Sequence, residues 1–173
     1  MGIVDLVGAV KKLERAGADF ALLAANTPHV VFSEIERRSP IPMISIVEAA
    51  FAVARARELT RLGLFGTRFT MQGSFYPDVF FKHGLEVFTP SQEDQDYIHD
   101  KYMSELVHGA YLDETRRRLL AIVDRLIEQH QVHGLILGGR ELPLILRDET
   151  YRDIPFLDTT RIHVERAVAR ILS

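Results

Sequence analysis

The stretch FALLAANTPH at residues 20–29 decides the fold, because it joins a buried strand to a helix. The run from Phe20 to Ala24 is apolar without polar alternation, which predicts a strand covered on both faces. Pro28 suits the first turn of a following helix. The stretch LILGGRELP at residues 135–143 repeats this pattern. Open α/β sheets build their sites at the carboxyl ends of strands, so we expect the polar residues after both strands to share one site; two ordinary strand-to-helix turns are the alternative.

The rest of the chain alternates between amphipathic segments and short apolar runs. The amphipathic segments predict helices at residues 3–15, 28–38, 46–59, 72–83, 91–107, 113–129, 141–146 and 158–172. The apolar runs predict strands at residues 20–24, 43–45, 61–65, 85–88, 135–137 and 155–157. This alternation indicates an α/β fold with mainly parallel sheets flanked by helices. The chain begins on a helix that should follow a strand, so we expect the first sheet to be one strand short.

Composition excludes several classes of function. The 173 residues include 21 Lys and Arg against 24 Asp and Glu, a net charge of −3, so nucleic-acid binding is not expected. The absence of cysteine excludes disulfides, thiolate metal sites and thiol catalysis. Five of the seven histidines lack the spacing of a metal site and are expected at the surface: His83, His99, His108, His130 and His133. No signal peptide and no apolar run of transmembrane length is visible, which predicts a cytoplasmic protein without a membrane partner.

Polar residues follow several predicted strands and are candidates for binding an anion. Asn26 and Thr27 could hold a carboxylate together with helix N–H groups, or they could act only as helix caps. Thr67 and Thr70 repeat this pattern after the third predicted strand. Arg140 could pair with a carboxylate, although a loop arginine is more often solvated. Turns of this kind that face one point would form an anion site.

Three residues are candidates for acid/base chemistry. Glu141 is one, although a glutamate at the start of a helix is explained equally well by the helix dipole. His29 could be a general base, or a buried histidine bonded to the backbone. His163 lies in the first turns of the last predicted helix, and we expect it near the site.

Four segments resemble the aspartate/glutamate racemase family, and its aspartate racemase branch more than its glutamate branch. They are ANTPH at 25–29, GLFGTRFT at 63–70, ILGGRELP at 136–143 and FLDTTRIH at 156–163, in the family's order along nearly the whole chain. The resemblance implies two pseudo-symmetric α/β lobes with the site between them. The first, incomplete lobe would comprise residues 1–65 with 158–173, and the second residues 66–157. The resemblance also implies a homodimer, no cofactor, and a small carboxylate or amino acid as substrate.

This chain departs from the family at the two positions of the catalytic cysteines. The family uses two cysteines, one to remove the α-proton and the other to deliver a proton to the opposite face. In the family these cysteines stand in the motifs Cys-Asn-Thr and Gly-Cys-Thr-Glu. In this chain Ala25 and Gly139 occupy the two thiol positions, and Arg140 stands where the second motif has threonine. The family's Gly-rich N-terminal strand, which would supply the missing strand of the first sheet, is also absent.

Three functions are compatible with this pattern. Methyl and hydrogen side chains carry no proton, so the two-thiol mechanism is not possible. The first hypothesis is an isomerase of aspartate-like or glutamate-like amino acids or similar acids, with His29, Glu141 or His163 as the substitute acid/base. The second is a catalytically silent homologue that binds a carboxylate. The third is a cofactor-free lyase or decarboxylase on the same scaffold. All three keep the substrate-holding residues Asn26, Thr27, Thr67, Thr70 and Glu141.

Overall fold

A computed structural model describes residues 2–173, where helices surround two separate sheets. The α-helices, in chain order, are α1 (Ile3–Arg15), α2 (Phe32–Arg38), α3 (Ile46–Ala56), α4 (Arg68–Gln72), α5 (Phe75–Phe81), α6 (Gln92–Ser104), α7 (Asp113–His130), α8 (Leu142–Ile145) and α9 (Thr159–Ile171). The strands are β1 (Ala21–Leu22), β2 (Met43–Ile44), β3 (Arg61–Gly66), β4 (Glu86–Phe88), β5 (Gly134–Gly138), β6 (Thr150–Tyr151) and β7 (Ile154–Asp158). Two 3₁₀ turns, Thr27–Val31 and Leu106–His108, complete the regular structure described for residues 2–173.

The smaller sheet pairs β1 with β2 in parallel, with Ala21 opposite Met43. The apolar stripe of α1 covers it, since Leu6 and Val10 are buried together with Ala21 and with Ile35 of α2. This packing holds β1 in place, so residues 23–27 leave its carboxyl end in a fixed direction.

The larger sheet has the strand order β4-β3-β5-β7-β6, with all pairs parallel except β6 with β7. The chain leaves β3 to form β4 on one side and later returns to form β5 on the other. The crevice between the carboxyl ends of β3 and β5 is therefore the switch point of the sheet, where open α/β folds bind ligands. Gly66 lies opposite Gly138, so the two turns start side by side.

Both faces of this sheet are buried. Successive residues of a strand point to opposite faces, and Leu135 and Leu137 accordingly pack in one cluster with residues of α6, α7 and α8. Ile136 packs in the other cluster, with residues of α3 and α5 and with Ile162 of α9. The continuous apolar runs of β3 and β5 follow from this two-sided cover.

The predicted α/β fold with mainly parallel sheets and flanking helices is confirmed. Strand β6 was not predicted, because the turn after it uses positive φ at Arg152 and Asp153. Hairpin turns of that kind are usually signalled by Asn-Gly or Asp-Gly, and neither is present. Across the described residues, no helix combines the length and apolarity that a membrane crossing needs.

The predicted division into residues 1–65 with 158–173 and residues 66–157 stays a prediction. Strand β3 pairs within the larger sheet, so sheet membership places a boundary between β2 and β3. Met1, the first residue of the predicted first lobe, lies outside the described residues.

Candidate functional site

A cleft of about 200 Å³ lies at the carboxyl ends of β1, β3 and β5. Ala25 and Thr27 reach it from the turn after β1, Thr67 from the turn after β3, and Gly139 from the turn after β5. Residues far apart in sequence thus meet at the switch point of the larger sheet, facing the end of the smaller one. The cleft brings together Ala25 and Gly139, the two positions at which the sequence resemblance predicts thiols.

Three threonine hydroxyls form a triangle beside this cleft. The Thr27 Oγ1 atom lies 3.3 Å from that of Thr67 and 3.4 Å from that of Thr70, and the latter two are 3.3 Å apart. Thr67 precedes α4, yet within the described chain its side chain accepts no capping hydrogen bond from that helix. The triangle therefore holds hydroxyl donors that are not committed to a helix terminus.

Glycines at the ends of β3 and β5 let Thr70 come this close. A Cβ on Gly66 would lie 2.8 Å from Cβ of Thr70, and one on Gly138 would lie 2.8 Å from the Phe65 carbonyl. Only glycine leaves room for a backbone or side chain at these distances. Thr70 is fully buried as a result, and its hydroxyl is held in place beside Thr67.

Asn26 links the two sheets rather than simply capping a helix. Its Oδ1 accepts a hydrogen bond from the Tyr76 hydroxyl (2.6 Å), and its Nδ2 donates to Thr159 Oγ1 (3.1 Å). Thr159 in turn donates to the Leu137 carbonyl of β5 (2.8 Å). Asn26 is buried and lines the cleft, so these bonds fix the turn that presents Ala25 and Thr27.

A tyrosine fills the space beside Gly139. An ideal Cβ on Gly139 would lie 2.5 Å from the hydroxyl oxygen of Tyr102, 2.7 Å from its Cε2 and 2.9 Å from its Cζ. Tyr102 belongs to α6, is buried, and lines the cleft. Any side chain at position 139 would have to displace this ring.

Tyr102 and Arg140 both bind Glu141. The Tyr102 hydroxyl donates to Oε2 of Glu141, and Arg140 Nε donates to Oε1 (2.7 Å). Burial raises the pKa of Glu141, but the hydrogen bonds from Arg140 and Tyr102 outweigh it and hold the pKa below its usual value. Burial, together with the bond to Glu141, raises the pKa of Tyr102. The pair at rest is therefore a carboxylate and a neutral phenol.

His29 has both ring nitrogens bonded to the backbone. The Ile46 N–H donates to Nε2 (3.1 Å), so Nδ1 carries the proton and donates to the Ala25 carbonyl (2.8 Å). Burial, opposed in part by the bond to Ala25, lowers the pKa of His29 to about 4. His29 thus positions the turn of Ala25, and it does not line the cleft.

His163 is also placed outside the cleft lining. Its Nε2 donates to the Ile44 carbonyl (2.8 Å), and its ring meets that of His29 edge-on at 6.3 Å. Burial lowers the pKa of His163. Of the three candidate acid/base residues, the structure brings only Glu141 to the cleft.

Sequence reasoning missed Tyr102. It lies 37 residues before Gly139, and the spacing of buried Ile98, Tyr102 and Leu106 follows a helical period that continues from α6 into the next 3₁₀ turn. Such a stripe indicates core packing, and nothing local marks its tyrosine as part of a site. Residues 2–173 contain no group of three or more His, Asp or Glu side chains placed to hold a metal ion.

These features define a class of protein: an α/β chain with a small polar cleft at strand ends from two sheets. The sequence profile of the Asp/Glu/hydantoin racemases matches residues 3–167, so the chain belongs to this family.

Known proteins agree with this assignment. The broad specificity amino-acid racemase RacX of Bacillus subtilis strain 168 is 27% identical over 173 residues, which cover 99% of this chain and 71% of that protein. An uncharacterized protein in the pnlA 3′ region of Pectobacterium carotovorum is 30% identical over 142 residues, 79% of this chain and 90% of that protein.

Solved structures show the same fold. An aspartate racemase homologue from Pyrococcus horikoshii OT3 superposes with a TM-score of 0.87 at 30% identity, covering 99% of this chain and 74% of that one. The aspartate racemase of Picrophilus torridus superposes with a TM-score of 0.73 at 20% identity, covering 97% and 68%.

Proposed function

We propose that the cleft binds a small amino acid or a related carboxylate, and that this member of the family does not interconvert enantiomers with paired thiols. The observation that carries the proposal is the pair of hydroxyls on Thr27 and Thr67, which follow strands of different sheets, lie 3.3 Å apart and line the cleft. The fully buried Thr70 hydroxyl lies within 3.4 Å of both. A carboxylate is an acceptor of hydrogen bonds, and hydroxyls that bond one another in the free protein can turn their protons toward it.

The size of the cleft supports a small ligand. Its volume is about 200 Å³, below the roughly 300–1,000 Å³ of sites for drug-sized molecules. The guanidinium of Arg140 is 76% exposed at the rim and bonds Glu141 through Nε, which leaves its other N–H groups for a ligand. A molecule with one carboxylate among the threonines and a second polar group near Arg140 fits this distribution of donors.

The chemistry of the cleft favours binding over racemisation. Inverting a carbon centre needs a base on one face and an acid on the other. Ala25 offers a methyl group on one side, and the ionisable residues that line the cleft in the described chain are Tyr102, Arg140 and Glu141. An isomerase that uses His29 or His163 stays a prediction, and the contacts of both histidines with the backbone give it little support.

The family also supports three proposals about the protein as a whole. We infer a homodimer, a cytoplasmic location and a reaction or binding event that needs no cofactor. Sedimentation of the purified chain tests the first, and ligand binding after exhaustive dialysis against chelator tests the third.

The binding test uses a panel of L- and D-amino acids, dicarboxylates and 2-oxo acids, measured by calorimetry and thermal stabilisation. Thr67→Val should weaken the binding of the best acid by about 1–2 kcal/mol, because a hydrogen bond to its carboxylate is lost. Thr150→Val, at the exposed β6 edge, is the matched control and should leave the affinity unchanged. Equal affinities for the wild-type and Thr67→Val proteins would remove the triangle from the site, and no binding across the panel would overturn the proposed function.

A further inference from the structure

We propose that Tyr102 and Glu141 form a one-sided proton relay, which stands in place of the second thiol and moves a proton at C3 of a bound 2-oxo acid, the carbon beside its ketone. The proposal rests on the function proposed above, because the reacting molecule must first bind in the cleft.

The position of the tyrosine hydroxyl is the first support. It lies 2.5 Å from where the Cβ of a side chain at position 139 would start, so it reaches the cleft where the absent thiol would have reached it. The ring is buried in the cluster that contains Leu137 and Leu142, which limits its rotation. Tyr102 is thus a proton-bearing group held at one wall of the cleft.

The partner of this hydroxyl is the second support. Glu141 is buried and its Oε2 already accepts the tyrosine proton in a hydrogen bond, while Oε1 accepts from Arg140. Tyr102 from α6 and Arg140 from the same turn are the ionisable groups that contact Glu141, and the other cleft-lining residues described carry no ionisable side chain. A proton can pass along an existing bond without any movement of the protein.

The step balances without a further reactant. The C–H bond on the Gly139 side of the ligand breaks, and its proton goes to Oη of Tyr102. The original hydroxyl proton of Tyr102 passes to Oε2 of Glu141, and the electron pair stays on carbon, delocalised as an enolate. Tyr102 ends neutral, Glu141 ends as the neutral acid, and the reverse passage returns a proton to the same face.

The electrostatics define the substrate class. Both carboxylate oxygens of Glu141 accept hydrogen bonds, Oε2 from Tyr102 and Oε1 from the Arg140 cation, and this stabilises the charged form. The relay therefore ends in a weak base, in agreement with the lowered pKa of Glu141. A weak base removes a proton only where a neighbouring ketone acidifies the C–H bond. We therefore assign the relay to 2-oxo acids, whose C3 hydrogens lie beside a ketone, and not to the α-carbon of an ordinary amino acid.

Because the relay acts on one face of the ligand, the number of hydrogens that exchange is the most discriminating measurement. The ionisable residues that line the cleft in the described chain are Tyr102, Arg140 and Glu141, which bind one another, and Ala25 offers only a methyl group. Only one of the two hydrogens on a CH₂ group should therefore exchange. The probe is 2-oxobutyrate in D₂O, followed by proton NMR with the full-length protein. We expect exchange at C3 to be faster with the protein than in buffer alone, and to stop at one deuterium per molecule.

Variants separate the relay from a structural role. Tyr102→Phe should lower the exchange rate by roughly 100-fold or more with 2-oxobutyrate still bound, and Glu141→Gln should do the same. Tyr97→Phe, on the same helix but outside the cleft lining, is the matched control and should exchange at the wild-type rate. Arg140→Gln should move the acidic limb of the pH–rate profile to higher pH, because it removes the cation that lowers the pKa of Glu141.

The outcomes distinguish this inference from the binding function. If wild-type protein binds 2-oxobutyrate but C3 exchanges only at the buffer rate, the relay is wrong and the binding function stands. Entry of two deuteriums at the enzymatic rate, or wild-type exchange by both Tyr102→Phe and Glu141→Gln, also overturns the relay. If no acid of the panel binds, the binding function is wrong and the relay is lost with it.

Discussion

Replacing Gly139 by alanine tests whether Tyr102 really occupies the wall of the cleft. The new methyl group would lie 2.5 Å from the tyrosine oxygen and less than 3.0 Å from two ring carbons. Carbon atoms in proteins do not approach this closely, so either the ring or the turn must move. Because the ring is 6% exposed and its hydroxyl binds Glu141, movement gives up both packing and a hydrogen bond.

The expected cost of Gly139→Ala is about 1–3 kcal/mol of unfolding free energy, the range for adding a methyl group to a filled core. Gly8→Ala is the matched control, because it lies within α1 and a Cβ there would meet nothing within 4 Å. Alanine favours a helix over glycine by about 0.5–1 kcal/mol, so the control should be stabilised. The two identical substitutions should therefore have opposite signs.

Urea unfolding followed by circular dichroism measures both changes, and a double-mutant cycle with Tyr102→Ala identifies the cause. Tyr102→Ala alone should destabilise by about 3–5 kcal/mol, and Gly139→Ala should add little in that background. The coupling between the two sites would then be about 1–3 kcal/mol. A Gly139→Ala change that is equally mild with and without the tyrosine ring would refute the filled wall, and the relay would have no structural basis.

Two further predictions follow from the same contacts. Neutral His29 has a folded-state pKa lowered from 6.5 to about 4, so the unfolded chain binds its proton first and stability should fall by about 3 kcal/mol as the pH drops from 6.5 to 4. The unfolding free energy of His29→Gln should change less with pH in this range than that of the wild type. The lowered pKa of His163 acts in the same direction in both proteins. An equal slope in both proteins would show that folding does not lower the pKa of His29. Restoring thiols through Ala25→Cys with Gly139→Cys should give no racemase, because Tyr102 blocks the second thiol, whereas adding Tyr102→Ala should give measurable racemisation of amino acids by chiral chromatography. Activity in the double variant, without removal of the ring, would contradict this reasoning.

Most of the order of strands and helices could be predicted from the sequence because most elements are signalled locally, although the helix predicted at residues 72–83 is two helices, α4 and α5. The run at residues 135–137 is too apolar for any position but a doubly covered strand, and it forms the core of β5. Ser91 precedes acidic residues and caps α6 as its type suggests. Strand β6 could not be predicted in this way. The turn after it has positive φ at Arg152 and Asp153, and this pair of residues is not a recognised signal for such a turn.

Only part of the candidate site could be predicted from the sequence in the same way. Thr67 and Gly139 follow the adjacent strands β3 and β5, so their convergence could be inferred from the rule that parallel strands of one sheet end at one edge. Thr27 follows β1 of the other sheet, and its place beside them could be expected from the repeated sequence pattern. The role of His29 could not, because a histidine beside a strand end has the same local signature as a base and as a backbone clamp. Only the bonds from Ile46 and to Ala25 separate the two roles.

Gly139 has a different meaning once its neighbour is known. Read alone, glycine at a thiol position is a loss, and a lost side chain leaves a cavity that costs stability. Here the space is occupied by Tyr102, whose hydroxyl binds a buried carboxylate that is itself held by Arg140. Glycine is the residue that permits this arrangement, since any Cβ would exclude the ring. The glycine at position 139 and the tyrosine beside it are therefore coupled by geometry, and the ionisable groups at this wall of the cleft are the Tyr102 phenol and the Glu141 carboxylate, held by Arg140.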